Sequence, residues 1–357
     1  MMVARLNPSR DATAIAPVVA YLGWHRRGNL GDDAIYDAVR LQLPQGTFLD
    51  LPRFPYEVVR AATTGLNRSL RRGVQVMGGG TLVGTRYFRR LVNRGVALTR
   101  NNGSYAIGVG VDDPVFVRHK NRSDNDELKR WAPILSEFQT VSVRGPRSAE
   151  LLAEVRLNVE VSGDPALLPP RPDVVTEDGL IGLNLGFGDD DLWGQDPAMV
   201  AQELSSAMRH LSAQGHRFIG ILMNRDDKRW TELALNGVAA DIVVPPDACA
   251  AVRELARCSV AIVSRLHAGI LAAVSGTPVV SLEYLPKCRD FVLSIDDERS
   301  LIRTDKLSST SVVDGVGFAL AESSQIRNKT QAAVAKLRQR LQAEYGTVRK
   351  QLELDGE

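Results

Sequence analysis

The chain has 357 residues, 44% of them hydrophobic and 24% charged, with a formal net charge of +2. That length exceeds one ordinary core and fits two domains of about 150 residues each. The near-neutral charge gives no electrostatic basis for nucleic-acid binding, and three cysteines without CxxC spacing (Cys249, Cys258, Cys288) argue against a disulfide framework or zinc ribbon and fit a cytoplasmic setting.

Residues 1–17 carry Arg5, Arg10 and Asp11 and no long apolar stretch, so they read as a loose tail rather than a signal peptide. Val18 to Gly23 is a short apolar run, followed by a glycine-rich turn and a helical pattern from Ala34 to Leu43. Further strands are predicted at Phe48–Leu51, Val74–Met77, Tyr105–Val109, Thr140–Val143 and Val159–Val161. Strands alternating with helices imply a parallel sheet covered on both faces, here a Rossmann-like domain over residues 18–168.

The proline cluster Leu168-Pro169-Pro170-Arg171-Pro172 makes a stiff linker. A second Rossmann-like domain is expected over residues 169–324. Its strands are predicted at Leu180–Leu185, Arg217–Met223, Asp241–Val244, Ser259–Val263 and Pro278–Leu282. Its helices are predicted at Ala198–Ala213, Ala248–Arg257, Ala268–Ser275 and Lys287–Ser294. The apolar stretch near Ile270 to Val280 is interrupted by Ser275, Gly276 and Pro278, so no transmembrane span is expected. Residues 325–357 carry a C-terminal amphipathic helix, with Val334, Leu337, Leu341, Tyr345, Val348 and Leu352 on one stripe that packs back onto the domains. The fold class is therefore α/β, two Rossmann-like domains facing across a cleft with a C-terminal amphipathic helix.

Five loops could carry chemistry. Gly28-Asn29-Leu30-Gly31-Asp32-Asp33 opens the first helix. One of its aspartates is expected to cap that helix, and another is free to act in the cleft as a proton donor or acceptor. It is not GxGxxG, so no dinucleotide fingerprint is present. Met77-Gly78-Gly79-Gly80-Thr81 follows a strand and reads as a tight turn or as a backbone facing a ligand. Arg144, in Ser142-Val143-Arg144-Gly145, leaves a strand where ligands bind in open α/β sheets; the alternative is a solvated loop arginine. Asp164, in Gly163-Asp164-Pro165, reads as an organiser of its loop. The fifth is Ser264-Arg265-Leu266-His267 with Lys287 on the next strand end. Arginine, histidine and lysine around a helix start make an anion site.

Residues Arg60 to Arg100 contain nine arginines and no acid, with Arg86, Arg89, Arg90 and Arg94 in one helical region. A solvated face, a phosphate-bearing acceptor and an anionic membrane surface all fit that bias. Metal chemistry is poorly supported, because the five histidines show no HxH or HExxH spacing. Asp189-Asp190-Asp191 reads as a solvated loop.

Taken in order, these segments resemble the polysaccharide pyruvyl transferase family: Gly28 to Asp32, the triple glycine Gly78 to Gly80, Ser142 to Arg144 with Asp164-Pro165, and Arg265 to His267 with Tyr284 to Lys287. The resemblance covers roughly residues 18–295. It implies a fold like the GT-B glycosyltransferases with the active site between the domains. It implies phosphoenolpyruvate as donor substrate with no other cofactor, and a sugar diol as acceptor, lipid-linked or nucleotide-linked. The product is a cyclic pyruvate ketal plus phosphate. Exopolysaccharide or glycolipid synthesis at the inner face of the membrane is the setting it suggests. On that reading Arg144, Arg265, His267 and Lys287 hold the donor with the backbone of Asn29, Gly31, Gly79 and Gly80, while Asp32, His267 and Arg265 are the catalytic candidates. Members of the family often carry Asp where this chain has Gly145 and again where it has Leu285. A GT-B-like glycosyltransferase using a nucleotide sugar, and a non-catalytic glycan-binding member, are the competing readings.

Overall fold

The computed structural model describes residues 17–114, 116, 126–187, 193 and 195–354. The tail expected before residue 17 and the loop Asp189-Asp190-Asp191 lie outside the described residues. The first sheet contains β1 (Val18–Leu22), β2 (Thr47–Asp50), β3 (Gly73–Met77), β4 (Gly80–Val83), β5 (Ser104–Val111), β6 (Thr140–Val143) and β7 (Glu160–Val161). Their order is β2-β1-β3-β5-β6-β7, with β4 beside β5. All pairings are parallel, with Val19 opposite Phe48 on one side and Val74 on the other. All five residues of β1 are buried. A parallel sheet covered on both faces needs such continuous apolar runs, which is why the strand was legible as one.

The helices of this half are α1 (Leu30–Gln42), α2 (Pro55–Thr63), α3 (Leu66–Leu70), α4 (Arg86–Leu98), α5 (Asp126–Leu135) and α6 (Pro146–Ala153). The second sheet holds β8 (Glu177–Asn184), β9 (Arg217–Ile221), β10 (Ala240–Val243), β11 (Cys258–Val263), β12 (Val279–Glu283) and β13 (Leu301–Arg303). Their order is β10-β9-β8-β11-β12-β13, again wholly parallel. Its helices are α7 (Pro197–Ala213), α8 (Lys228–Ala234), α9 (Ala248–Arg257), α10 (Leu266–Ser275), α11 (Pro286–Ser294) and α12 (Ser309–Ala321), and α13 (Ser323–Leu354) ends the described chain. Strands β4 and β13 go beyond the sequence expectation. Each is only three or four residues long, and β4 begins inside the glycine run, so neither has a periodicity of its own; pairing with a longer neighbour makes them strands.

Strand order reverses between β1 and β3 in the first sheet and between β8 and β11 in the second. At such a switch point the loops leaving two neighbouring strands diverge and open a crevice at their carboxyl ends. The two crevices face each other. The start of α1 joins the halves directly, because the N–H of Leu30 donates to the Met223 carbonyl beyond β9 at 2.9 Å.

One apolar cluster runs through both halves, taking in Tyr21 and Ile35 from the first, Leu271 from the second, and Leu337, Leu341 and Tyr345 from α13. The C-terminal helix thus returns to the first domain. Its Glu344 accepts from the hydroxyls of Ser142 (2.7 Å) and Ser162 (2.5 Å). Arg338 donates to the carbonyls of Leu167 and Pro169, and Arg340 to that of Val161. The apolar stripe expected on this helix is fully used, with Leu341, Tyr345 and Val348 completely buried. Among the described residues no helix is long and apolar enough to cross a membrane. Leu341→Ala should lower stability by about 2–5 kcal/mol, whereas Gln342→Ala on the exposed face should change it by less than about 0.5 kcal/mol. Urea unfolding of the two variants checks this.

Candidate active site

A cavity of about 390 Å³ opens where the carboxyl ends of the two sheets meet. The first domain lines it with Trp24, Asn29, Asp32, Gly80, Thr81 and Arg144, and the second with Arg265, His267, Tyr284 and Lys287.

On the first wall, Asn29 caps α1. Its Oδ1 accepts the Gly31 N–H at 3.1 Å and its Nδ2 donates to Asp32 Oδ2 at 2.6 Å. The expected aspartate cap is therefore corrected: Asn29 takes that role, because its carbonyl oxygen reaches the free N–H first. Asp33 turns outward and accepts the Arg26 N–H at 2.5 Å, which leaves Asp32 facing the cavity. Burial pushes the Asp32 carboxyl above its ordinary range; His267 and Lys287 pull it down without cancelling that effect. Gly31 has a steric reason to be glycine, since a Cβ there would lie 2.0 Å from His267 Nδ1. The triple glycine divides its roles. Gly80 takes φ +92° and lines the cavity beside Asp32. Gly79 lies behind it, where a Cβ would meet Pro165 and Ile35 at 3.0 and 3.1 Å.

On the second wall, Arg265 sits at the N-cap position of α10 and donates its backbone N–H to Asn184 Oδ1 at 3.1 Å. Its Nε and Nη2 both donate to Asp227 Oδ1, at 2.9 and 2.6 Å, and Asp227 is completely buried. The guanidinium expected as an open anion ligand is instead anchored on one edge by a carboxylate. Asp227 lies in a short turn after β9 with no motif around it, and 38 residues separate it from its partner. Nothing in the sequence pairs the two.

His267 lies in the first turn of α10, 9% exposed, with Nε2 3.7 Å from Asp164 Oδ2. Asp164 organises its loop as expected, its Oδ1 accepting the Ala166 N–H at 2.9 Å. Its second oxygen does more, facing Arg144 Nη1 at 3.6 Å as well as the histidine of the other domain. Burial raises the Asp164 carboxyl, but His267, Arg144 and the Ala166 N–H together outweigh it and hold the group below the ordinary aspartate range. Arg144 is 1% exposed, so the solvated-loop reading is set aside. Its Nη2 donates to Thr81 Oγ1 at 3.3 Å. Arg144 Nε and Nη1, Asp164 Oδ2 and His267 Nε2 are buried and have no hydrogen-bond partner among the described residues. Lys287, in the first turn of α11, holds its ammonium 5.0 Å from the centre of the Tyr284 ring. The arginine cluster on α4 splits: Arg89 bonds Glu127 at 2.8 Å, Arg94 donates to the Pro52 carbonyl at 2.6 Å, and Arg86 and Arg90 stay exposed. Among the described residues no group of three His, Cys, Asp or Glu side chains could hold a metal ion.

A family model described as polysaccharide pyruvyl transferase matches residues 29–286, from the Asn29 cap to the first residue of α11, and so takes in the named residues of both walls except Trp24 and Lys287. The chain belongs to the polysaccharide pyruvyl transferase family. No curated protein sequence matches it. Solved structures match by fold. UDP-GlcNAc 2-epimerase from Neisseria meningitidis, bound to UDP-GlcNAc, is 12% identical with a TM-score of 0.59, over 94% of this chain and 100% of that one. S. aureus MnaA with UDP is 9% identical with a TM-score of 0.56, over 89% and 91%. Phytolacca americana UGT2, complexed with UDP-2fluoro-glucose and pterostilbene, is 10% identical with a TM-score of 0.51, over 95% and 100%. These likenesses show the GT-B-like fold, two parallel-sheet domains with a long C-terminal helix.

One contact missed by the sequence reading locks this pyruvyl transferase family fold around its cavity. Asp290 of α11 crosses to the first domain, where it accepts from the N–H of Ser148 (3.1 Å) and from its hydroxyl (2.6 Å). It also stands 4.0 Å from Arg144 Nε. Gly145 makes the approach possible, because a Cβ there would lie 2.2 Å from the Asp290 carbonyl oxygen and 2.3 Å from Oδ1. Glycine at position 145 is thus matched by a carboxylate arriving from the other domain. Asp290→Ala leaves buried donors unsatisfied and should cost about 1–3 kcal/mol; Gly145→Ala should cost a similar amount by overpacking. Thermal melts of both variants test the contact.

Asp164 gives a pH signature. Its carboxyl is held below the unfolded value of about 3.9, so its contribution to stability is present above that pH and is lost as pH falls through the lowered folded value. Asp164→Asn should therefore be less stable than wild type at pH 7, with the gap closing in melts run down toward pH 3.

Proposed function

We propose that this protein transfers the pyruvyl group of phosphoenolpyruvate onto two hydroxyls of a sugar, forming a cyclic ketal and releasing phosphate. The observation that carries the reading is the convergence of Arg144, His267 and Lys287 on one small cavity, where Arg144 Nε and Nη1 and His267 Nε2 are buried without a hydrogen bond and with carboxylate oxygens 3.6–4.0 Å away. Buried polar atoms are normally paired. A compact anion with a carboxylate and a phosphate close together matches this set of cations, and membership of the family supports that donor.

The chemistry needs a proton on the methylene carbon of phosphoenolpyruvate, which leaves an oxocarbenium-like centre at C2. One sugar hydroxyl adds there and loses its proton; the C2–O bond to phosphate breaks; the second hydroxyl closes the ring and loses its own proton. Asp32 is the proton donor in this scheme, and its carboxylate takes back the proton of the second hydroxyl. Burial keeps its carboxyl protonated to higher pH than a free aspartic acid, and the Asn29 amide fixes one of its oxygens. His267 receives a hydroxyl proton, its ring set beside Asp164. Lys287, Arg144 and Arg265 neutralise the departing phosphate. Three free cysteines, two of them buried, fit action in a reducing, cytoplasmic compartment.

The test is phosphate release from phosphoenolpyruvate with a panel of sugar diols, read together with the ketal product by mass spectrometry. His267→Ala and Asp32→Asn should each lower kcat by roughly 10²–10⁴-fold while the protein stays folded. Arg265→Ala alone leaves Asp227 buried and unpaired, so Arg265→Ala with Asp227→Asn is the cleaner variant. Because Asp32 acts in its protonated form, wild-type activity should fall as pH rises through its raised pKa. Near wild-type turnover in both His267→Ala and Asp32→Asn would overturn the assignment. Thermal stabilisation by UDP-sugars but not by phosphoenolpyruvate would instead favour a nucleotide-sugar transferase.

A further inference from the structure

A second, larger cavity of about 820 Å³ is lined in part by His25, Arg26 and Arg27 of the loop between β1 and α1. Arg26, Arg27, Arg53 and Arg60 line it. Among the described residues no carboxylate pairs with the guanidinium of Arg26, Arg27 or Arg60. The two acids in its walls are already engaged. Asp50 faces His25 Nε2 at 3.2 Å, and Glu57 accepts the backbone N–H groups of Arg53 and Phe54 at 2.6 and 3.1 Å.

The site is built rather than merely basic. His25 is 5% exposed, stacked on Tyr36 at 3.9 Å, and its Nδ1 has no partner. Arg53 donates through Nη2 to the Gly23 carbonyl, while its Nη1 is likewise buried and unpartnered. Trp24 stands next to both cavities. Its ring lines the smaller cavity, and the guanidinium carbons of Arg27 and Arg53, which line the larger one, lie 4.1 and 5.7 Å from its centre.

Several guanidinium groups converging on a cavity of this size match phosphate oxygens, which accept the planar donor fork. Phosphoenolpyruvate has one phosphate, only two bonds from its reacting carbon, so a molecule seated in the smaller cavity cannot also fill the larger. We propose that the arginine-lined cavity holds a phosphate or diphosphate ester carried by the sugar acceptor, with Trp24 against the sugar between the two cavities. This rests on the pyruvyl-transfer reading of the smaller site, and it assigns to the larger cavity the phosphate of that acceptor.

The experiment has two arms, both on the full chain and on the Arg26→Ala/Arg60→Ala variant, whose changes are at exposed positions. In the first, inorganic pyrophosphate is titrated calorimetrically at saturating phosphoenolpyruvate. Saturable binding that weakens tenfold or more in the variant is expected; no binding, or equal binding in both proteins, overturns the proposal. In the second, turnover is measured with a neutral methyl glycoside, a nucleotide-diphosphate sugar and a prenyl-diphosphate sugar of the same sugar. A KM raised tenfold or more for one or both diphosphate acceptors, with the methyl glycoside unchanged, is expected, and the acceptor affected identifies the source of the phosphate. Equal losses on all three, or on none, overturn the proposal. If no acceptor turns over even with wild type, the pyruvyl-transfer reading fails, and the pyrophosphate titration alone decides whether the cavity binds phosphate.

Discussion

The contact on which the rest depends is the meeting of Asp164 from the first domain with His267 from the second, at 3.7 Å and with Asp164 completely buried. A buried carboxylate is costly unless cations and N–H donors surround it. Arg144 and the Ala166 N–H supply the remainder from the first domain. This junction fixes the histidine at the floor of the cleft. It also keeps the cleft from being a generic gap, because the charges that could hold a ligand are set by charges on the opposite sheet.

That arrangement demands close backbone approach, and the glycines allow it. Gly31 gives His267 room at the start of α1, and Gly145 gives Asp290 room at the start of α6. In each case one domain omits a side chain where the other inserts one. The two insertions come from α10 and α11, which follow neighbouring strands of the second sheet. A shift of either helix would move both contacts, so the relative position of the domains and the geometry of the cavity are a single constraint. The helix α13 adds to it by burying Leu341 and Tyr345 in the apolar cluster shared by both halves and by bonding Glu344 to Ser142 and Ser162.

The two cavities share the loop between β1 and α1, and that loop is short for what it does. Within seven residues it supplies Trp24 and Asn29 to one side and His25, Arg26 and Arg27 to the other. Arg26 takes φ +58°, unusual for a non-glycine residue, and its N–H is held by Asp33. The aspartate that the helix start does not need as a cap thus holds the loop in its turn.

The sequence by itself determined the α/β class, the two parallel sheets, the long C-terminal helix and the loops that form the cleft. These are written in local periodicity and in glycines next to strand ends, and both are set by near neighbours in the chain. It also carried enough ordered motif to indicate the family. Only the tertiary structure decided the charge partners. Asp227 anchors Arg265, Asp290 reaches Ser148, and Asp164 meets His267, each across 38 residues or more. An ion pair between distant residues leaves no period and no spacing in the chain. It exists because two sheets place their carboxyl ends face to face, so which cation is open to a ligand and which is already held is settled by packing alone.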